Sequence, residues 1–470
     1  MSVENVVEDL DISLDILAQQ PRLNSLYTQV TLFFPLCAPA SERESTNIFK
    51  RGSIELSKHF PWVSGTVVIE GGVFKINQSE DAGLVVKDYK NGGHGVALPD
   101  YTTLKQAQFP FSLLDEAVVS PVKTFSEFGA GLPVLLVQVS LVQGGLFLTF
   151  NGQHGAMDMA GLGSVMRLFA KGCRDEPFTV TGLEIGNTDR RDALPLLFPL
   201  PCRPSNSDEN KTKTQQATTT TSNAGPAPDP SLVWAYFSFS APSLAALKSF
   251  TTDPLEKDLP QRFVSTDDAL SAFVWKSITR ARIQNKNQSF LLLPSTLSRN
   301  VDVRRHFSLP GSYPGFMASI TSHAFLVEEM LAKPLGSIAL CLRRALDPVA
   351  LRDKTLAQAS LITQKFNGDG DDGMPSKTES GTVPPGNSAP DVRLSSWAKE
   401  ELSGLDFGLG LGKPEAIRRP AFGPGSREGL VYLLPRWLDG SIVVGICLKA
   451  EDMEKLRMDD GVSKYSVYIG

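Results

Sequence analysis

Asn151-Gly-Gln-His-Gly-Ala-Met-Asp158 places a lone histidine between an apolar run and a segment of helical periodicity. Upstream, Pro133 to Ser140 and Leu146 to Phe150 are β-branched and apolar and are separated by Gln143-Gly-Gly, which reads as a buried hairpin. Its second strand delivers His154. Downstream, Met159, Leu162, Val165, Met166, Phe169, Ala170 and Cys173 recur at three- and four-residue spacing, so a helix with one buried face starts at Asp158. An imidazole held at such a boundary can be neutral at physiological pH and still take a hydroxyl proton as the oxygen attacks an electrophile. That suits acyl transfer. Asp158, in the first helical turn, reads as a group that sets the local backbone or pairs with a distant cation. By itself H-x-x-x-D decides nothing, because a histidine before a helix is more often structural and an aspartate there is favourable with the helix dipole whatever its role.

A second signal lies far along the chain, where Ser395-Ser-Trp397 is followed by Leu405-Asp-Phe-Gly-Leu-Gly410 and Lys413-Pro-Glu-Ala-Ile-Arg-Arg-Pro420. A kinase reading of this D-F-G fails, since no Gly-rich phosphate loop, V-A-I-K strand or H-R-D loop accompanies it. The two motifs in this order resemble the BAHD superfamily of coenzyme A-dependent acyltransferases, whose signatures are H-x-x-x-D-G and D-F-G-W-G. Within it the chain is most similar to fungal trichothecene 3-O-acetyltransferase-like enzymes, through Leu14-Asp-Ile-Leu17, Tyr27-Thr-Gln29, His59-Phe-Pro-Trp-Val-Ser-Gly65 and His154-Gly-Ala-Met-Asp-Met-Ala-Gly161. Two departures stand out: Met159 follows the aspartate, with glycine delayed to Gly161, and Leu409 replaces the tryptophan of D-F-G-W-G.

The resemblance implies a mixed α/β fold of two chloramphenicol-acetyltransferase-like domains with a channel at their interface and His154 reachable from both mouths. It implies His154 as the catalytic base and Asp158, Arg304, Asp406, Gly408 and Gly410 as structural support, Asp406 holding its loop away from the reacting centre. Arg304 belongs to Asn300-Val-Asp-Val-Arg-Arg-His-Phe-Ser-Leu-Pro310, ahead of Gly311-Ser-Tyr-Pro-Gly315, and is expected to pair with Asp158; Arg305 beside it is an equal contender by position. Ser396 and the Trp397 indole are candidate oxyanion donors or channel-wall residues. The implied reaction takes an acyl group, acetyl by resemblance, from acyl-CoA to the hydroxyl of a small-molecule fungal metabolite in a ternary complex, with no metal. An N-acyltransferase acting on an amine, or a condensation-like or degenerate binding protein without CoA chemistry, are the alternatives; Gln153 stands where condensation domains carry a second histidine.

Composition sets the frame. At 470 residues the chain suits two domains. The tract from Pro201 to Pro230, with its Lys-Thr-Lys-Thr and threonine run, cannot bury a core, so residues 201–232 read as a linker between domains at 1–200 and 233–470. A second tract, 367–390, reads as an exposed insertion; its Gly-Asp-Gly-Asp-Asp-Gly lacks the correctly placed glutamate of an EF-hand. There is no apolar run of the roughly 20 residues needed to span a membrane and no basic-then-apolar leader, so a cytoplasmic monomer is expected. Five cysteines, Cys37, Cys173, Cys202, Cys341 and Cys447, show no C-x-x-C pairing, which points to reduced thiols and no zinc site. A formal net charge of −5 argues against nucleic acid. Lys413, Arg418, Arg419 and Arg427 could offset coenzyme phosphates, a weak signal that leaves the coenzyme contacts unassigned. Elsewhere Ser45 to His59 looks helical, Val67 to Ile76 looks like strands around Gly71-Gly72, and Val233 to Ser240 reads as a strand. Thr266 reads as a helix cap, and Leu430 to Trp437 with Ser441 to Lys449 as a hairpin about Asp439-Gly440.

Overall fold

In a computed structural model of the chain, the residues described are 10–36, 39–79, 83–195, 229–252, 263–283, 288–367, 390–408, 411–423 and 425–470. Leu409, Gly410, Cys37, Cys202, residues 201–228 of the expected linker and residues 368–389 of the expected insertion therefore lie outside the described residues.

Alternating apolar residues make the expected hairpin. Leu135–Val142 pairs antiparallel with Gly145–Gln153, Val142 opposite Gly145, and the turn between them is closed by Gly144 at a φ of 78°. Every residue of Gly145–Gln153 is buried, and the strand runs on to within one residue of His154. It is also paired along its other edge with Tyr27–Pro35, in a five-stranded sheet whose spatial order is Ala416–Arg418, Tyr27–Pro35, Gly145–Gln153, Leu135–Val142, Leu84–Asp88. A four-stranded sheet of Asp11–Ser13, Val73–Asn77, Thr66–Glu70 and Leu132–Pro133 adjoins it. Against these pack the long helix Pro39–His59 and the helix Met159–Cys173, which cross so closely that a Cβ on Gly52 would overlap the Cys173 sulfur.

The second half builds a seven-stranded sheet, in spatial order Ala318–Leu326, Pro294–Asp302, Val392–Ser396, Leu430–Leu433, Ile442–Lys449, Leu232–Phe239 and Val467–Tyr468. One face of it is covered by Thr266–Ile283 and Leu335–Arg344 over a core that includes Leu270, Val274, Leu394, Val431 and Ile446. The helix Thr266–Ile283 begins one residue earlier than the sequence suggests: Ser265, not Thr266, accepts the Asp268 N–H at 3.2 Å, and the Asp268 carboxylate accepts the Ser265 N–H at 3.0 Å, a reciprocal cap. The expected hairpin about Asp439-Gly440 forms, with Gly440 at a φ of 86°. Among the described residues no helix is long and apolar enough to cross a membrane.

Residues on either side of the 201–232 tract pack against one another. Ala416–Arg418 leaves the second half to pair with Thr31–Phe33 at the edge of the first sheet. Phe407 enters the first core, edge-on to Phe34 at 5.6 Å and Phe49 at 5.9 Å, with Phe150 and Phe169 beside it. Tyr236, from the second sheet, stacks on Phe111 at 3.7 Å. The core around the HxxxD helix thus draws side chains from both halves of the sequence.

Because Phe407 is fully buried and touches four rings, Phe407→Ala is expected to lower unfolding stability by about 3–5 kcal/mol, read as a shift of the urea midpoint at unchanged m-value.

Candidate active site

His154 stands at the end of the buried strand Gly145–Gln153, where the chain turns before the helix Met159–Cys173. The turn is pinned from several sides. The His154 N–H donates to the Leu26 carbonyl at 2.8 Å, the Gln153 side-chain oxygen accepts the Ala156 N–H at 2.6 Å, and the Gln153 amide donates to the Asn24 carbonyl at 2.9 Å. Gly155 lies so close to the Asn24 side chain that a Cβ there would collide with it. These contacts leave the imidazole projecting from a fixed backbone. Its Nδ1 is 3.0 Å from the Thr28 hydroxyl, and its ring meets that of Phe316 edge-on at 5.4 Å. The ring is half-buried: protein surrounds it and pushes its pKa below the ordinary histidine value, against the opposing pull of the Asp158 charge and a hydrogen bond to the Met157 backbone, yet part of its surface stays open.

Among the described residues, the Asp158 carboxylate has no hydrogen bond with the imidazole or with Thr28. It caps the helix by accepting the Gly161 N–H at 2.9 Å, and its two oxygens receive Arg304 Nη2 at 2.7 Å and Nη1 at 2.9 Å; the Met317 N–H adds a fourth bond at 2.8 Å. Of the two adjacent arginines, Arg304 is the one turned inward, with 1 % of its surface exposed, while Arg305 lies on the surface beside His306. Burial works against the Asp158 charge, but Arg304 and the backbone donors outweigh it and hold the carboxyl below its usual range. Gly161, the displaced glycine of the motif, is where a Cβ would overlap the Pro314 carbonyl, so the helix start and the Tyr313–Met317 loop need this close approach.

That loop is clamped from a second side by Asp15, a residue of the Leu14-Asp-Ile-Leu17 stretch. Its carboxylate accepts the Tyr313 hydroxyl at 2.5 Å and the Phe316 N–H at 2.9 Å, with Arg190 at 3.6 Å. Burial raises the Asp15 pKa, countered by Arg190. Sequence reasoning singled out the stretch but not this role, and it missed Thr28, which appeared only as part of Tyr27-Thr-Gln29.

The remaining expected positions divide. Asp406 is exposed, accepts the Gly408 N–H at 2.8 Å, and its carbonyl receives Arg174, which stands just past the far end of the Met159–Cys173 helix, about 24 Å from Asp158 by helical rise. Ser396 Oγ donates to Asp267, away from the first half, and the Trp397 indole N–H donates to Ser395 Oγ at 3.1 Å. Alternation along Val392–Ser396 puts Ser395 and Arg393 on the face opposite Ser396. Of the basic residues considered for coenzyme phosphates, Arg418 and Arg419 are buried on backbone carbonyls and aromatic rings, Arg418 over Tyr236 and Arg419 over Phe422 and Tyr432, while Lys413 is exposed. Among the described residues no three His, Cys, Asp or Glu side chains converge to hold a metal.

Residues 26–173, the hairpin, histidine loop and capped helix, match the family model for the trichothecene 3-O-acetyltransferase-like N-terminal domain. The O-acetyltransferase dmxR13 of Cryptosporiopsis sp. is 41 % identical over 98 % of both chains, and trichothecene 3-O-acetyltransferase TRI101 of Fusarium sporotrichioides 39 % identical over 98 % of both. The chain belongs to the trichothecene 3-O-acetyltransferase-like family. The crystal structure of F. sporotrichioides TRI101 complexed with coenzyme A and T-2 superposes with a TM-score of 0.81 at 36 % identity, covering 98 % of this chain and 100 % of that one. Vinorine synthase, at 16 % identity and a TM-score of 0.63, shares the fold. The mixed α/β, two-domain chloramphenicol-acetyltransferase-like architecture expected from the motifs is therefore the architecture present, and the chain is an acyltransferase of this family.

Arg304→Met strands the Asp158 carboxylate in a dry site and is expected to cost about 3–5 kcal/mol of stability, part of it recovered when Asp158→Asn removes the stranded charge. Since the folded Asp158 pKa lies below the unfolded value of about 3.9, the pair's contribution is fully present above that pH and is lost as pH falls through the folded value. Urea denaturation across a pH series should show this acid limb in the parent and a flatter one in Arg304→Met.

Proposed function

We propose that this chain transfers an acetyl group from acetyl-CoA to a hydroxyl of a fungal secondary metabolite, as a cytoplasmic monomer, with His154 as general base. The observation that carries the reading is the half-buried His154, its pKa lowered by its surroundings, on a backbone pinned by hydrogen bonds. A proton on Nδ1 directed at Thr28 leaves the Nε2 lone pair free for the acceptor hydroxyl. As that hydroxyl gives its proton to Nε2, its oxygen bonds to the thioester carbonyl carbon. Collapse of the tetrahedral adduct breaks the carbon–sulfur bond, and the imidazolium returns the proton to the departing thiolate. No acyl-enzyme forms.

Asp158 serves here as a positioning residue: it spends all four hydrogen bonds on Arg304, Gly161 and Met317 and fixes the helix start from which the histidine loop hangs. For the oxyanion, Ser395 suits the role better than Ser396, whose hydroxyl is committed to Asp267; Ser395 accepts from Trp397 and retains its own hydrogen as a donor. Trp397 then acts by orienting Ser395. A hydroxyl rather than an amine acceptor accords with the O-acetyltransferase names of the relatives.

His154→Ala is expected to keep the fold and lose ~10²–10⁴-fold in kcat, followed as free-thiol release from acetyl-CoA with hydroxylated and amine acceptors; undiminished turnover would remove the mechanism. The acid limb of kcat/KM should fall below the ordinary histidine value of about 6.5, because burial lowers the His154 pKa and the base stays neutral further into acid. Thr28→Val should lower kcat more than it raises the KM for acetyl-CoA, since it removes the partner that sets the tautomer.

A further inference from the structure

Several buried guanidinium groups among the described residues are matched by a carboxylate. Arg304 meets Asp158, Arg299 meets Asp268 at 2.9 Å, and Arg282 meets Glu428 at 2.9 Å. Arg418 and Arg419 are met by carbonyls and rings instead, and three more accessible arginines have no counter-charge: Arg22 is exposed, and Arg393 and Arg427 are half-buried. The side chains of Arg22, Arg393 and Arg427 make no ion pair or hydrogen bond with any described residue, although Glu428 is the chain neighbour of Arg427 and is turned to Arg282 instead. They nevertheless converge. The loop that carries Arg427 packs at Gly425 against the Phe125 ring, and Phe125 is bridged to Leu26, four residues after Arg22; in keeping with that approach, Arg427 and Arg393 both depress the pKa of Arg22, which partial enclosure first of all lowers to about 10, and partial enclosure followed by Arg393 lowers that of Arg427. A guanidinium with a pKa near that value is still cationic at neutral pH. Three like charges gathered without a counter-ion disfavour the fold, so the arrangement makes sense where an outside anion completes it.

Their place in the molecule narrows what that anion belongs to. Arg22 comes from the first half, in the turn Pro21–Asn24, two residues before the Asn24 that contacts Gly155 in the histidine loop. Arg393 and Arg427 come from the second half. Arg393 shares a strand face with Ser395, and the Arg427 carbonyl accepts the N–H of Leu430, the register partner of Arg393. The wall beside them is aromatic: Ser395 is opposite Tyr432, whose ring lies 5.2 Å from Trp397 and is stacked at 5.9 Å on Trp234. Coenzyme A also carries anions, but its phosphates are a full pantetheine arm away from the thioester that reacts at His154. The triad is instead next to the histidine loop itself, and it is bordered by ring faces.

We propose that Arg22, Arg393 and Arg427 form an acceptor-side anion site, which holds a carboxylate or ionised phenol on a flat, aromatic hydroxy compound while its hydroxyl reaches His154. The proposal rests on the acyl-transfer reading of the site and makes the triad a determinant of acceptor specificity. Guanidinium groups supply paired N–H donors suited to a planar carboxylate, and the adjoining rings supply a stacking surface for the body of the molecule.

The test compares a hydroxynaphthoic acid with its methyl ester, two flat hydroxy compounds that differ in charge. Isothermal titration of each into the full-length enzyme should show the acid binding at least about tenfold tighter, the value of one charge-assisted hydrogen bond. Arg393→Gln and Arg427→Gln should each abolish that preference, and Arg393→Lys should restore part of it. In thiol-release assays the same Gln variants should raise the KM of the acid while moving the KM for acetyl-CoA by less than about twofold. Equal binding of acid and ester by the parent enzyme overturns the proposal, as does a rise confined to the KM for acetyl-CoA, which would assign the arginines to the coenzyme phosphates. Binding does not require turnover, so the two readings fail separately. Acid-selective binding that persists in His154→Ala supports the anion site even if the parent enzyme transfers no acetyl group, and a competent transferase without acid preference leaves the acyl-transfer reading intact.

Discussion

The site depends on one buried ion pair in which no donor or acceptor is left over. Each of the five N–H groups of Arg304 has a partner: Nε gives to the Tyr313 carbonyl, Nη1 to Asp158 and Asp302, Nη2 to Asp158 and the Gly315 carbonyl. Asp158 in turn receives two bonds from Arg304 and one each from Gly161 and Met317. Desolvating two charges costs several kcal/mol per ion, and a buried pair holds only when its remaining hydrogen-bonding capacity is also met. Here that condition joins four separate pieces of chain, the helix start, the strand end at Asp302, the Tyr313–Gly315 turn and Met317, into one rigid unit. The same turn is gripped on its far side by Asp15 through Tyr313 and Phe316, so the residue that faces the imidazole edge-on is held by two independent carboxylates.

This division of labour keeps the histidine's chemistry separate from the scaffold's charge. Had Asp158 been bonded to the imidazole it would have raised the ring's basicity directly. Spending the carboxylate on Arg304 leaves only its residual field, which burial of the ring outweighs. The outcome is an imidazole whose pKa lies below the ordinary histidine value and whose Nδ1 faces a hydroxyl, Thr28, from the neighbouring strand. Thr28 and His154 meet because Tyr27–Pro35 and Gly145–Gln153 are in register with Thr28 opposite Gly152, two residues before the histidine.

What could be read from the sequence tracks how local its cause is. The hairpin and the capped helix that frame His154 follow from alternation, spacing and an aspartate at the first turn, all within forty residues. Arg304 could be brought to Asp158 only through family resemblance, and its neighbour Arg305 had equal standing until packing of Val303 and Phe307 turned one inward and left the other in water. Asp15 escaped notice because its partners are about 300 positions away, beyond any periodicity. The choice between Ser395 and Ser396 is one of parity on a five-residue strand: packing of Leu394 under Thr266–Ile283 sends Ser396 to Asp267 and Ser395 to the other face. Arg418 and Arg419 look like surface cations in sequence, but a Tyr236 ring and backbone carbonyls from the first half enclose them.

The crossing strand Ala416–Arg418 ties the second half of the chain to the first. Three residues are too few to announce a strand, yet their pairing to Thr31–Phe33 carries the segment between Phe407 and Phe422 onto the first half. Phe407 plugs the core behind the HxxxD helix, and Phe422 approaches Phe125 and Trp234 beside the proposed anion site. Spreading the halves would break this strand pairing, unstack Tyr236 from Phe111 and pull Arg304 from Asp158, each a loss of buried contacts with nothing to replace them. The physical expectation is a passage of fixed width between the lobes, in which acceptors are selected by the side chains already lining it rather than by closure around them.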